Sequence, residues 1–184
     1  MKQISLGAGI VNYPMPIALI GTVRDGRANF MTAAWFSMVS YQPARIAVSL
    51  GGHLTSDSIQ EAGVFSICIP SANRLADVDY CGMVSGRKAD KSEVFTVFTG
   101  KTGAPMAEEC LLNVECRLSH MDVNGMDTTY IGDIVDIYAD RSVLTDGKVN
   151  LASLNPLILS QQETKYYTLA GEADRAWSAG RRHR

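Results

Sequence analysis

The segment from residue 28 to residue 40, ANFMTAAWFSMVS, combines the apolar content of a buried strand with small and polar side chains. Asn29 and Thr32 interrupt the apolar run, and Ala33 and Ala34 leave its centre almost without side chains. Such a strand lets a flat ligand approach the backbone, whose N–H and C=O groups can then hydrogen-bond the edge of a heteroaromatic ring. The segment is therefore the first candidate for a ligand-binding surface.

A second candidate is the sequence GGHLTS at 51–56, which leads into a predicted helix. We expect Thr55 or Ser56 to cap this helix and Gly63 to end it. Free backbone N–H groups, hydroxyls and the helix dipole favour an anion such as phosphate at a helix start. Together the two segments predict a planar ring on a strand and a phosphate at a helix N-terminus.

The segment SGRKADKSE at 85–93 carries three cations, Arg87, Lys88 and Lys91. Charge runs of this kind are often solvated loops. Here the neighbouring anion site makes a second interpretation equally good, in which the loop faces the phosphate.

The rest of the chain predicts mostly antiparallel strands, with tight turns at Asp25-Gly26 and Asn124-Gly125. The continuous apolar run at 64–70 predicts a strand buried on both faces, whereas alternation at 111–121 predicts a half-buried strand. Close spacing favours a barrel over a doubly wound sheet, within a single domain spanning 1–184. The predicted strands are 16–23, 28–40, 42–50, 64–70, 111–121, 128–140 and 155–161, and helices are predicted after residue 54 and within 72–84.

Composition excludes several classes of function. A net charge of −2 is unsuited to general nucleic-acid binding, and the basic ending GRRHR is interpreted as a solvated tail. No run approaches the ~18 apolar residues of a membrane span, and the first residues lack the apolar core of a signal peptide. The four cysteines show no C-x-x-C pair and no zinc spacing. Cys68 and Cys116 lie in strand-like segments and are interpreted as reduced core thiols, which favours a cytoplasmic protein. His120, Asp122 and Asp127 could bind a metal by composition, but their spacing does not select one, so no metal site is predicted.

Several motifs then follow one another in the order found in a known family. They include N-x-x-T-x-x-W-x-x-x-x-S from Asn29 to Ser40 and H-x-T-x-x-x-I from His53 to Ile59. AGVFSICIPS, SGRKADKSE, YIGDIVDIYAD, NPLILSQ and YYTLAGEADRAWSAG follow. From about residue 12 to 180 the chain resembles the FMN-binding split-barrel family of flavin reductases and flavoredoxins.

The resemblance implies a mainly β fold with a few helices, an antiparallel split β-barrel of the FMN-binding type, and a homodimer with FMN near the subunit interface. Because FMN itself carries the redox chemistry, no catalytic residue is assigned. Cys81 falls in a segment that is often close to the cofactor and is interpreted as a buried thiol. The resemblance implies that the ring is bound by Asn29, Met31, Thr32, Ala33, Ala34 and Trp35. It implies that the ribityl and phosphate wall is formed by Ser49, Leu50, Gly51, His53 and Thr55, and that Lys91 holds the phosphate. Tyr166 or Tyr167 corresponds to the aromatic residue that is often contributed near the neighbouring subunit's flavin.

Two functions remain open. The first is an NAD(P)H:flavin reductase in the broad sense, with NADH or NADPH as electron donor. The alternative is a flavoredoxin-like electron-transfer protein without a nicotinamide site, which exchanges electrons with another redox protein. Nicotinamide-using members usually carry Gly-Asp-His before the strand matched here by YIGDIVDIYAD, whereas this chain has Thr128 and Thr129 at that place, which favours the alternative. A barrel that has lost its flavin is disfavoured by the presence of Thr32, Thr55 and Lys91.

Overall fold

A computed structural model describes residues 2–173 and residue 176. The last part of the YYTLAGEADRAWSAG motif and the basic ending lie outside the described residues. The helices are α1 (Leu54–Ala62), α2 (Leu75–Met83) and α3 (Leu151–Leu154). The strands are β1 (Met15–Pro16), β2 (Ala18–Arg24), β3 (Arg27–Ala33), β4 (Phe36–Ser40), β5 (Arg45–Leu50), β6 (Val64–Ile69), β7 (Val97–Thr99), β8 (Pro105–Ala107), β9 (Leu112–Asn124), β10 (Asp127–Ala139), β11 (Leu144–Thr145), β12 (Lys148–Val149), β13 (Ile158–Ser160) and β14 (Lys165–Tyr167).

The main sheet has seven strands in the order β3-β2-β6-β9-β10-β5-β4, and all neighbours are antiparallel. If it were flat, the outermost of its seven strands would be roughly 29 Å apart, at about 4.8 Å per neighbour. Yet β3 and β4 are joined only by Ala34 and Trp35, and the three Cα steps from Ala33 to Phe36 span at most about 11 Å. The sheet must therefore curl until its edges approach each other, as in a split barrel.

This curl corrects one prediction. Residues 28–40 do not form one strand, because Ala34 and Trp35 interrupt it and send the chain from one edge of the sheet to the other. The small residues that suggested a ligand surface in mid-strand therefore mark a strand end and a corner.

Two hydrophobic cores lie on the two faces of the sheet. Ile20 and Ile67 belong to one core, together with Ile59 of α1. Leu19 and Cys68, their neighbours on the same two strands, belong to the other core, together with Val78 of α2. Because successive side chains of a strand point to opposite faces, β2 and β6 are buried on both sides. The prediction for residues 64–70 is confirmed.

The prediction of a half-buried strand at 111–121 is wrong in its first part. Asn113 and Glu115 were expected to face solvent, but both are buried. Asn113 donates to the carbonyl oxygens of Ala107 and Cys110 at 3.2 and 2.6 Å. Neighbouring chain therefore covers the polar side of β9 and accepts the hydrogen bonds of the buried Asn113 amide nitrogen.

Most other predicted boundaries shift by a few residues. The strand predicted at 42–50 begins at Arg45, and the one predicted at 155–161 is limited to Ile158–Ser160. The hairpin turn at Asp25-Gly26 is confirmed, whereas the one predicted at Asn124-Gly125 lies one residue further on, at Gly125-Met126. Gly63 ends α1 as predicted: its φ of 67° is left-handed, and its N–H donates to the carbonyl of Ile59 at 2.9 Å.

All four cysteines are buried and none forms a disulfide. Burial raises the pKa of Cys68 and of Cys81 to about 11, so these thiols are neutral near pH 7. The interpretation as core thiols agrees with this burial. Among the described residues no helix has both the length and the apolar character needed to cross a membrane.

Candidate functional site

A cavity of about 210 Å³ lies between β3, the start of α1 and the segment that follows α2. We call it the inner cavity. It brings together five of the predicted site residues, Met31, Thr32, His53, Thr55 and Lys91, although they are spread over 61 positions of the chain. Its other lining residues are Leu54, Cys81, Gly82, Met83, Val84, Ser85 and Gly86.

Polar side chains hold the walls of the inner cavity together. The amide nitrogen of the buried Asn29 on β3 donates to the hydroxyl oxygen of Thr55 on α1 at 3.0 Å. The hydroxyl of Thr32 donates to the carbonyl of Val78 in α2. Because hydrogen bonds between buried side chains fix relative orientation, Asn29 and Thr32 position the two helices against β3.

Gly86 lets the loop after α2 come close to both walls. A Cβ at this position would clash with the side-chain oxygen of Asn29 and would lie 2.9 Å from Leu54 Cδ2. A side chain here would displace the Asn29 amide, which is buried and bonded to Thr55, so glycine favours this approach. Gly86 is thus a site residue that the prediction missed, although it stands inside the motif SGRKADKSE.

Lys91 differs from the other two cations of that motif. Arg87 and Lys88 are exposed, whereas Lys91 is only 3% exposed. Its ammonium donates to the carbonyl oxygens of Cys81 and Val84 at 3.2 and 3.1 Å. Burial lowers the pKa of Lys91, and the nearby Cys81 thiol partly opposes this effect. A cation kept inside a cavity can pair with an anionic ligand without competition from bulk water.

The start of α1 supplies a second attraction for an anion. The N-cap is His53, whose side chain makes no capping hydrogen bond, so the predicted cap at Thr55 or Ser56 is wrong. The hydroxyl of Ser56 instead donates to the carbonyl of Gly51 at 2.6 Å. The first N–H groups of a helix have no partner within it. Here the exposed His53 and the buried Thr55 flank them at the wall of the inner cavity.

Asn29, which was predicted beside the ring, instead lines a wider groove next to the inner cavity. The other predicted residues of the ring and ribityl walls form a second group, outside the inner cavity. They lie where β3 ends and where β5 ends, and the backbone N–H of Ser49 donates to the carbonyl of Trp35 at 2.8 Å. A Cβ on Gly51 would lie 3.5 Å from both His53 Nε2 and Asp127 Oδ1. His53 therefore links this group, which we call the strand-end corner, to the inner cavity. The strand-end corner comprises Ala33, Ala34, Trp35, Ser49, Leu50 and Gly51.

Tyr166 lies away from both groups. Its hydroxyl donates to Asp79 of α2 at 2.8 Å, and it lines a separate hollow with Leu75 and Leu157. Burial, with Asp79 second, raises its pKa to about 12. Within one chain Tyr166 thus supports α2, and its predicted contact with a neighbouring subunit's flavin stays a prediction.

A wider groove of about 620 Å³ opens from the inner cavity and shares Leu54, Gly86 and Lys91 with it. We call it the basic mouth. The cations Arg87 and Lys88 that the sequence singled out lie here, not in the inner cavity. Arg24 and Arg27 join them from the β2–β3 hairpin. These two arginines flank the predicted Asp25-Gly26 turn, but no anion-binding role was predicted for them.

The model of the flavin reductase like domain family matches residues 10–168. The chain therefore belongs to this family, and the membership expected from the motifs is confirmed. A flavoredoxin from Methanosarcina acetivorans has a similar structure, with a TM-score of 0.97 and 33% identity, over 100% of both chains. The flavoredoxin of Desulfovibrio vulgaris (Miyazaki F) has a TM-score of 0.90 and 38% identity, over 98% of this chain and 100% of its own.

An enzyme is found among the relatives as well. An NADPH-flavin oxidoreductase from Streptomyces viridifaciens is 28% identical over 129 residues, which are 67% of this chain and 66% of that protein. The expected antiparallel split-barrel architecture is confirmed by these similarities and by the strand order.

Proposed function

We propose that this chain is an FMN-binding flavoprotein oxidoreductase, a flavin reductase in the broad sense. The observation that carries the proposal is the buried ammonium of Lys91, which lies in the same small cavity as the N-terminus of α1. A cation and a helix start on facing walls are the arrangement expected for a phosphate. Family membership selects a flavin phosphate from the possible anions.

The fit to FMN follows from the order of the residues. Thr55, His53 and Lys91 would hold the phosphate in the inner cavity. The strand-end corner would take the ring, since the chain leaves β3 there and is partly open to solvent, with Ala34 half-buried and Trp35 38% exposed. A flavin carries its phosphate and its ring at opposite ends, and His53 joins the two regions that would receive them.

The chain's own residues bind and orient, and FMN supplies the redox chemistry by accepting hydride or single electrons when bound. His53 is exposed at the N-cap of α1, which suits a contact with the ribityl chain or phosphate. Cys81 lines the inner cavity but is 1% exposed, and its raised pKa keeps it neutral. Neither residue is assigned a proton-transfer step.

The electron donor divides the proposal into two candidates. Thr128 and Thr129 pair with Leu50 and Ser49 across β10 and β5, directly beside the strand-end corner. The position at which nicotinamide-using members carry a histidine thus adjoins the proposed ring site, and in this chain threonines occupy it. This observation, together with the flavoredoxin similarity, favours an electron-transfer flavoprotein. The NADPH-flavin oxidoreductase relative favours nicotinamide as donor.

Anaerobic absorbance spectroscopy tests both candidates. We expect the purified protein, after incubation with FMN and removal of the excess, to show flavin bands that bleach with dithionite. Rapid bleaching by NADH or NADPH would identify a nicotinamide-dependent reductase, and persistence with both nucleotides would identify an electron-transfer protein. A protein that retains no flavin would contradict the proposed function.

We also propose that the protein is a homodimer that covers the strand-end corner. β4 is the last strand of the sheet, and its outer edge is unpaired among the described residues. Met38 and Val39 on β4 are 55% and 51% exposed, and Tyr41 just after it is 95% exposed. Contiguous exposed apolar residues are typical of an interface. Because β4 directly follows Trp35, a second copy on this edge would close the open side of the proposed ring site.

A charge on β4 should therefore separate the subunits. We expect the wild-type protein to have twice the monomer mass in light scattering, and Val39→Glu to lower that mass towards the monomer, since the interface would bury an unpaired carboxylate. FMN should also bind more weakly to the variant. The control is Leu151→Glu on α3, whose side chain is comparably exposed at 59% and belongs neither to β4 nor to the seven-stranded sheet. Identical masses for the wild type and Val39→Glu would contradict this interface.

A further inference from the structure

The end of α2 sets the position of the Lys91 ammonium. Its two acceptors are the carbonyl oxygens of Cys81, in the last turn of the helix, and of Val84, the C-cap. The last carbonyl groups of a helix have no partner within it and carry the negative end of the helix dipole, so they attract a cation. The cation assigned to the flavin phosphate is therefore fixed only as well as the end of α2 is fixed.

Core packing gives α2 little support. The helix has nine residues, of which only Val78 and Cys81 are buried. Tyr80 and Met83 on the same helix are 40% and 76% exposed. A helix of this length is marginal by itself and depends on its tertiary contacts. Hydrogen bonds from other elements are thus expected to contribute much of its placement.

Two consecutive residues of α2 receive such hydrogen bonds from opposite parts of the chain. The carbonyl of Val78 accepts from the hydroxyl of Thr32 on β3, at the wall of the inner cavity. The carboxylate of Asp79 accepts from the hydroxyl of Tyr166 on β14 at 2.8 Å. Tyr166 lines a separate hollow and packs against the same hydrophobic core as Val78. Because a hydrogen bond to a carboxylate is charge-assisted, this second link is the stronger kind.

The Tyr166 link and the Lys91 link are close together along α2. Asp79 precedes Cys81 by two residues, which is about 3 Å of helix rise. A short stretch of helix transmits a displacement as one rigid element. A change in how Asp79 is held therefore reaches the acceptors of Lys91.

We propose that Tyr166 is a positioning residue for the flavin phosphate. Its hydroxyl holds Asp79, Asp79 fixes the end of α2, and the carbonyl groups there place the Lys91 ammonium in the inner cavity. This inference rests on the proposed function, because the anion that Lys91 meets is the phosphate of FMN. It gives Tyr166 a role towards the flavin of its own chain, which is separate from the predicted contact with a neighbouring subunit's flavin.

The test compares FMN with riboflavin, which has the same ring and ribityl chain but no phosphate. Both are titrated into flavin-free wild type and into Tyr166→Phe, which removes the hydroxyl and keeps the aromatic ring, and flavin fluorescence gives the Kd. The matched control is Tyr80→Phe, because Tyr80 is an exposed tyrosine of the same helix and lines neither the inner cavity nor the hollow beside Tyr166.

Tyr166→Phe should weaken FMN binding by about 3- to 10-fold, less than the full loss of a hydrogen bond to a charged group, because the effect passes through α2. Riboflavin affinity should stay the same, and Tyr80→Phe should match the wild type for both ligands. In a Lys91→Ala background no ammonium remains to be placed. There, adding Tyr166→Phe should leave FMN affinity unchanged, since the two residues act through one another.

Equal losses for FMN and riboflavin in Tyr166→Phe would overturn the proposal, since they would reflect a ring contact or a general loss of structure. A loss of FMN affinity that is the same with and without Lys91 would also overturn it. If the wild type binds FMN and Tyr166→Phe binds it as tightly, the inference alone fails. If the wild type binds no FMN, the proposed function fails and the inference fails with it.

Discussion

Replacing Lys91 by alanine is expected to weaken FMN binding by about 1–3 kcal/mol, or about 5- to 150-fold in Kd. The ammonium is buried at the wall of the inner cavity, where a charge-assisted contact with phosphate is poorly screened. Lys91 loses its charge as the pH rises, and wild-type FMN affinity should fall with it. Because burial lowers the pKa of Lys91, we expect this fall at a lower pH than for an exposed lysine. Both effects are measured by flavin fluorescence titration.

The control for Lys91 must separate binding from folding. Lys91 also donates to the carbonyls of Cys81 and Val84 at the end of α2, so its loss costs some stability. The control variant is Lys88→Ala in the same loop. Because Lys88 is exposed, this variant should change FMN affinity little. Lys91→Arg keeps the charge and should recover part of the affinity. If FMN binds folded Lys91→Ala as tightly as it binds the wild type, Lys91 does not hold the phosphate.

The second large effect concerns Glu115, which is 0% exposed on β9. Its carboxylate accepts hydrogen bonds from the backbone N–H groups of Lys101 and Thr102, from the Thr102 hydroxyl and from the Tyr138 hydroxyl. Glu115→Gln should lower the free energy of unfolding by about 2–3 kcal/mol, because an amide nitrogen would face donors that require an acceptor. Denaturant unfolding measures the loss, and the exposed Glu108→Gln is the matched control.

The same carboxylate should make stability depend on pH. Burial raises the pKa of Glu115, but the hydrogen bonds from Thr102 and Lys101 outweigh this and lower it below its usual 4.5. A lowered folded-state pKa stabilises the protein above pH 4.5, and this contribution is lost as the pH falls through the folded value. The wild type should thus lose more stability than Glu115→Gln on acidification. Parallel pH profiles for the two proteins would refute this assignment.

Local sequence was sufficient for much of the fold. The apolar run at 64–70, the turn at Asp25-Gly26 and the helix end at Gly63 depend on side-chain period and on backbone conformations that few residues adopt, so each is visible within a few positions of the chain. The antiparallel fold class follows from many such strands at close spacing. The grouping of Met31, Thr32, His53, Thr55 and Lys91 followed from the family motifs, since no local pattern relates residues so far apart.

Glu115 shows where local pattern fails. Alternation gives the polar face of β9, but it cannot tell whether solvent or another segment covers that face. Here the turn around Thr102 covers it, from a part of the chain with no strand signal of its own. The burial of Lys91 and the exposure of Lys88 are equally invisible in the sequence SGRKADKSE, because both depend on how the loop meets α2.

The sequence by itself thus determined the type of most elements, their order and the family motifs from which a ring site and a phosphate site are predicted. Only the tertiary structure decided that Ala34 and Trp35 form a corner between the two edges of a curled sheet, and that Arg24 and Arg27 meet Arg87 and Lys88 at one groove. The physical reason is that secondary structure depends on interactions over a few residues, whereas sheet curvature and groove charge arise from contacts between segments far apart in the chain.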